Sequence, residues 1–63
     1  MVLYNLYLVL NHETIKVYDN ATQSMAYEGL SEDIPDGLMS ELVHDVTIAH
    51  ETDNRTYFLI HLN

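Results

Sequence analysis

The sequence predicts an α+β fold: a small four-stranded antiparallel sheet of two hairpins, with one or two short helices, assembled as an oligomer. Three observations carry this reading. Two pairs of segments alternate apolar and polar residues with a period of two, the signature of half-buried strands. A proline flanked by acids precedes a short apolar stretch, as at a helix start. The chain has 63 residues and no cysteine, so a single core of this size supplies only ~3–5 kcal/mol unless something staples it. With neither a disulfide nor a thiolate zinc site to hold it, self-association is the staple expected, as a homodimer or larger.

The first segment, Val2 to Leu10, is apolar nearly all round. Leu3, Leu6, Tyr7 and Leu10 form an i, i+3, i+4, i+7 stripe, which favours a short helix; as a strand, Tyr4, Leu6, Leu8 and Leu10 would share a face. It carries no basic leader and no small-residue cleavage site, so it is not read as a signal peptide. After a polar break at Asn11-His12-Glu13, Thr14 to Asp19 alternates, with Ile15 and Val17 on one face and Thr14, Lys16 and Tyr18 on the other. Asn20 to Gln23 is the turn, Met25 to Glu28 the returning strand, and Gly29 its end.

Leu30 to Ile34 reads as a loop. Pro35 then opens a short helix over about residues 35–41. Asp33 and Asp36 sit near its positive end, and Leu38, Met39 and Leu42 form its apolar side. Val43 to Glu51 alternates again. Asp53-Asn54 suits a two-residue turn, and Thr56 to Leu62 is the last strand. Such a turn sets Glu51 opposite Thr56, His50 opposite Tyr57, Ile48 opposite Leu59 and Val46 opposite His61. Tyr57 and Leu59 then join the Val46 and Ile48 face, while Phe58, Ile60 and Leu62 line the other. Both faces of this hairpin are apolar, so one is free to meet a second subunit. Tyr57, Phe58, Leu59, Ile60 and Leu62 are the expected oligomer interface.

Charge is the strongest compositional signal. Ten carboxylates face two cations, for a net charge of -8. Between Lys16 and Arg55 stand nine acids and no lysine or arginine. Hydrophobic residues still make up 48% of the chain, which disordered acidic chains lack. A surface of nearly one sign repels nucleic acid and membranes and attracts basic partners. Direct DNA binding by a lone subunit is disfavoured because phosphate affinity comes from cations. No run approaches a membrane span of ~18 apolar residues. The absence of cysteine and of an export signal predicts a cytoplasmic protein.

No catalytic residue is assigned. Ser24, Ser31 and Ser40 lack a nucleophile elbow, and adjacent His44 and Asp45 point to opposite faces of a strand. His44, His50 and His61 are expected on one face, with His44 and His61 near enough to share an ion. The residues between them are apolar, and a zinc site needs three or four convergent ligands, so no metal site is assigned. Glu28, Glu32, Asp33 and Asp36 form the densest acidic run. Their spacing does not fit an EF-hand, and a solvated acidic face is the plainer reading. With Glu41 they are the candidate partner-binding surface. Carboxylates held on a rigid sheet imitate the phosphate spacing of DNA and would fit the basic surface of a nucleic-acid-handling protein.

The succession LYNLYLVL, TIKVYD, AYEG, DIP..L...V and FLIHL resembles a group of tiny phage and mobile-element proteins of Gram-positive bacteria, and the resemblance spans the whole chain. It implies kinship with anti-CRISPR proteins, of which one type has a β-rich fold similar to the PC4 single-strand-binding fold and is described as nicking supercoiled DNA. The function it implies is inhibition of a bacterial, nucleic-acid-dependent defence system through the acidic surface, with no cofactor. The alternatives are a DNA nickase, for which Mg²⁺ would be the cofactor, and a non-enzymatic assembly module. No active-site motif matches residue by residue, so none is carried over.

Overall fold

A computed structural model describes residues 1–51 and 55–63. One helix, α1 (Leu3–Val9), precedes strands β1 (Thr14–Asp19), β2 (Ser24–Leu30), β3 (Val43–His50) and β4 (Thr56–Leu62). The strands form one sheet in the order β2-β1-β4-β3. Both hairpins are present as antiparallel pairs, β1 with β2 and β3 with β4. The sheet is nevertheless mixed, because central strands β1 and β4 run parallel. An all-antiparallel sheet is therefore the wrong expectation.

The cause lies in residues 31–42, which join β2 at one edge to β3 at the other. Strands at these two edges point the same way, and such a connection needs a crossover of roughly a dozen or more residues. This stretch has that length, and it carries the apolar Ile34, Leu38 and Met39, which pack on the core as it crosses. The predicted helix over 35–41 is absent. Two 3-10 turns, Ser31–Asp33 and Asp36–Leu38, stand there instead, with Pro35 capping the second. Gly37 inside so short a segment weakens any α-helical nucleus.

Helix α1 resolves the ambiguity of the first segment. Leu3 is fully buried and Leu6, Tyr7 and Leu10 pack against the core, whereas Tyr4, Leu8 and Val9 are exposed. The 3.6-residue stripe is thus the operative pattern. The helix begins where the Val2 N–H donates to Asn5 Oδ1 at 3.0 Å. It is tied to the crossover by Leu3 and Tyr4, whose N–H groups donate to the carbonyls of Glu41 and Met39, both at 2.9 Å. It ends at Leu10, and His12 reverses the chain at φ +54°.

The core face of the sheet is built in cross-strand rows. Gly29, Ile15, Phe58 and Ile48 form one, and Tyr27, Val17, Ile60 and Val46 the next. Ile15, Val17, Ile60 and Leu62 are fully buried here with Leu3 and Ile34. The β3–β4 register differs by one residue from the expectation. Ile48 faces Phe58 and Val46 faces Ile60, and the Glu51 N–H donates to the Arg55 carbonyl at 2.8 Å. The expected Asp53-Asn54 turn lies outside the described residues. A one-residue slip moves every side chain of a strand to the other face. Phe58, Ile60 and Leu62 therefore join Val46 and Ile48, and Tyr57, Leu59 and His61 go to the opposite face.

Strand β2 runs past Gly29, which was expected to end it. Gly29 holds φ +153°, and a Cβ there would lie 2.8 Å from Tyr27 Oη. The tyrosine ring lies along its own strand over this glycine, its hydroxyl donating to the Leu30 carbonyl at 2.7 Å. Just beyond, the fully buried Ser31 fastens the crossover to the residue before β1. Its N–H donates to the Glu13 carbonyl at 2.8 Å, and its Oγ accepts from the Glu13 N–H at 3.2 Å.

Candidate binding surface

The face of the sheet opposite the core is open. Two rows cross it: Glu28, Lys16, Leu59 and Thr47, then Met25, Tyr18, His61 and Asp45. Lys16 sits at the centre of a small cluster. Its Nζ is 3.3 Å from Glu28 Oε2 and 3.9 Å from Glu51 Oε1, and lies 4.4 Å from the centroid of the Tyr57 ring. His61 packs edge-on to Tyr18 with ring centroids 5.8 Å apart.

This arrangement corrects the histidine reading. The register puts His61 beside Tyr18, while His44 falls at an irregularity of β3 between Val43 and Asp45 and has no facing partner on β4. Among the described residues, no three His, Asp or Glu side chains converge as a metal would require. The described surface holds no pocket.

The expected acidic surface divides into parts. Glu28 lies on the open face against Lys16. Glu32, Asp33 and Asp36 stand exposed on the two turns of the crossover, and Glu32 Oε1 meets His12 Nδ1 at 3.1 Å. Glu41 is exposed beside the start of α1, its carbonyl holding the Leu3 N–H. The structure thus keeps Glu32, Asp33 and Asp36 together on one segment and sets Glu28 on a different face. Of the five residues expected at an oligomer interface, Ile60 and Leu62 are buried in the chain's own core and Phe58 packs against it. Tyr57 and Leu59 are half-buried on the open face.

The Lys16 cluster was missed in the sequence. Alternation already placed Lys16 opposite Ile15 and Val17, but its meeting with Tyr57 depends on the parallel β1–β4 pairing and the correct register.

Among the described residues, the fold shifts the protonation of two groups. The hydrogen bond to Glu28 raises the Lys16 pKa above its ordinary 10.5; partial removal from water opposes this, and the nearby Tyr57, Glu28 and Glu51 reinforce it. Burial raises the Tyr27 pKa above its ordinary 10.0, and the charges of Asp33 and Glu32 add to the rise. Both folded pKa values lie above the unfolded ones, so both contributions to stability are fully present below about pH 10 and are lost as pH rises through the folded values. Urea midpoints are accordingly expected to fall between about pH 9 and 11. Tyr27→Phe should shallow that fall, because it removes one of the two groups whose pKa the fold raises.

No protein-family model, curated protein or solved structure matches this chain.

Proposed function

We propose that this protein is a non-enzymatic binding module whose acidic crossover docks on the basic, nucleic-acid-binding surface of another protein and blocks it. The observation that carries this reading is the imbalance of ten carboxylates against two cations. Lys16 is already held between Glu28 and Glu51, which takes one of those cations out of play for phosphate. Exposed Glu32, Asp33 and Asp36 project from two turns pinned at one end by Ser31 and bound at the other to α1. Fixed carboxylates of this kind favour fast, salt-sensitive association with a cationic patch. The resemblance to small phage and mobile-element proteins supplies the setting: a cytoplasmic accessory factor that antagonises a bacterial defence system acting on nucleic acid.

The test is capture from a bacterial lysate by the immobilised protein. A nucleic-acid-handling protein should be retained at low salt and released by added duplex DNA, and the triple charge reversal E32K/D33K/D36K should abolish the capture. Capture that survives the reversal would remove the acidic crossover as the docking surface. Nicking of supercoiled plasmid in Mg²⁺ would replace the reading with an enzymatic one.

A further inference from the structure

The two edges of the sheet differ in how they are defended. Strand β2 carries Glu28, the strained Gly29 and a bulge opposite Val17 and Tyr18, all features that discourage pairing with another chain. The start of β3 is covered by the chain itself: the Val43 N–H donates to the Met1 carbonyl at 2.8 Å, and Val2 bridges to Leu42. Beyond that point β3 is the last strand of the sheet.

Which backbone groups it leaves outward follows from the ladder. Glu51 and Arg55 form a hydrogen-bonded pair. In an antiparallel ladder such pairs alternate with non-bonded ones, so Ala49 with Tyr57 and Thr47 with Leu59 bond inward. Val46, Ile48 and His50 therefore turn their N–H and C=O groups away from β4. Val46 and Ile48 are also 37% and 64% exposed, on the core side of the sheet. No carboxylate lies between Val46 and His50. Two copies of a chain of net charge -8 repel each other less along such an acid-free line than across the acidic crossover.

We propose that two copies pair antiparallel through these β3 edges, about a two-fold axis at Thr47, to make one continuous eight-stranded sheet. This register sets Val46 against the partner's Ile48 and Ile48 against the partner's Val46, closing four apolar side chains into one cluster. Asp45 then faces the partner's Ala49 rather than another acid. An axis at Val46 would set Ile48 against the partner's His44, and an axis at Ile48 would set Val46 against the partner's His50. The edge is its own best complement in one register, which is the reason for a second copy rather than an unrelated strand. The pairing uses the backbone edge, not the Tyr57 and Leu59 face, and it stands or falls independently of the acidic docking surface.

Thr47 would meet its own counterpart as a non-hydrogen-bonded pair, with Cα atoms about 4.5 Å apart, inside the range a disulfide spans. The chain has no other cysteine, so Thr47→Cys should give a covalent dimer on mild oxidation while Asp45→Cys and Ala49→Cys stay largely monomeric. The unmodified protein should sediment as a dimer, and Ile48→Lys should weaken the dimer about tenfold or more, as an inward charge on an edge strand does. Circular dichroism would confirm that the lysine variant stays folded. A wild-type monomer at millimolar concentration would overturn the proposal. So would a dimer that cross-links equally at all three positions, or one dissociated by Tyr57→Ala but not by Ile48→Lys.

Discussion

Ile60→Ala is expected to remove about 2–5 kcal/mol, which is most or all of the ~3–5 kcal/mol that a core of this size supplies. Ile60 is fully buried on central strand β4, between Val17 on one side and Val46 on the other. Its loss would leave a cavity in the buried cluster it forms with Leu3, Ile15, Val17, Ile34 and Leu62. Urea unfolding is the measurement, with Ile60→Val as the conservative partner at about 0.5–1.5 kcal/mol. The neighbouring substitution Leu59→Ala, on the open face, should cost much less. The two residues are adjacent in sequence and similar in chemistry, so the contrast reads out the β3–β4 register directly. A larger cost at Leu59 than at Ile60 would place the register one residue away.

The second large effect is expected at Gly29. An alanine there must adopt φ +153° and bring its Cβ within 2.8 Å of Tyr27 Oη. Backbone strain of this kind costs about 1–3 kcal/mol, and moving the ring breaks the hydrogen bond to the Leu30 carbonyl, a further ~0.5–1.5 kcal/mol. Gly29→Ala should therefore destabilise by roughly 2–4 kcal/mol in total. Repeating the substitution in a Tyr27→Ala background separates the two parts. If the backbone is the main cause, most of the cost persists there; if the ring is, most of it disappears.

These two sites also show what local pattern could and could not reveal. The strand spans Thr14–Asp19 and Thr56–Leu62 were legible because β-branched and aromatic residues alternate within each. The stripe of Leu3, Leu6, Tyr7 and Leu10 marked the buried side of α1 for the same local reason. Glycine usually weakens a strand, so Gly29 reads as a stop; its use as a seat for the Tyr27 ring depends on a side chain two residues away. Residues 35–41 read as a helix because Pro35 and its flanking acids are genuine helix-start signals. The bonds from the first turn of α1 to the carbonyls of Met39 and Glu41, and the packing of Leu38 and Met39 on the core, hold this segment in another path, and both are long-range. The β3–β4 register rested on one assumed turn length, and a single residue of difference there changed which of Leu59 and Ile60 belongs to the core.

For the candidate surface, the sequence showed how many acids there are and that cations are scarce. It did not show their division between faces, because that depends on the path of residues 31–42 over the sheet. Glu28 and Glu32 are four positions apart in the chain, yet one meets Lys16 on the open face and the other meets His12 beside the crossover.

The central position of β4 has a consequence for how the chain comes into being. The final strand in sequence is inserted between β1 and β3, and it supplies Ile60 and Leu62 to the core. Until it arrives, β1 has only β2 beside it, and an isolated two-stranded hairpin is marginal in water. During synthesis on a ribosome, then, β1 emerges before β4, and Ile15 and Val17 wait for the strand that completes their burial. The fold closes as a late, largely all-or-none event that joins β4 to β1, far apart in sequence, the slow kind of contact to form.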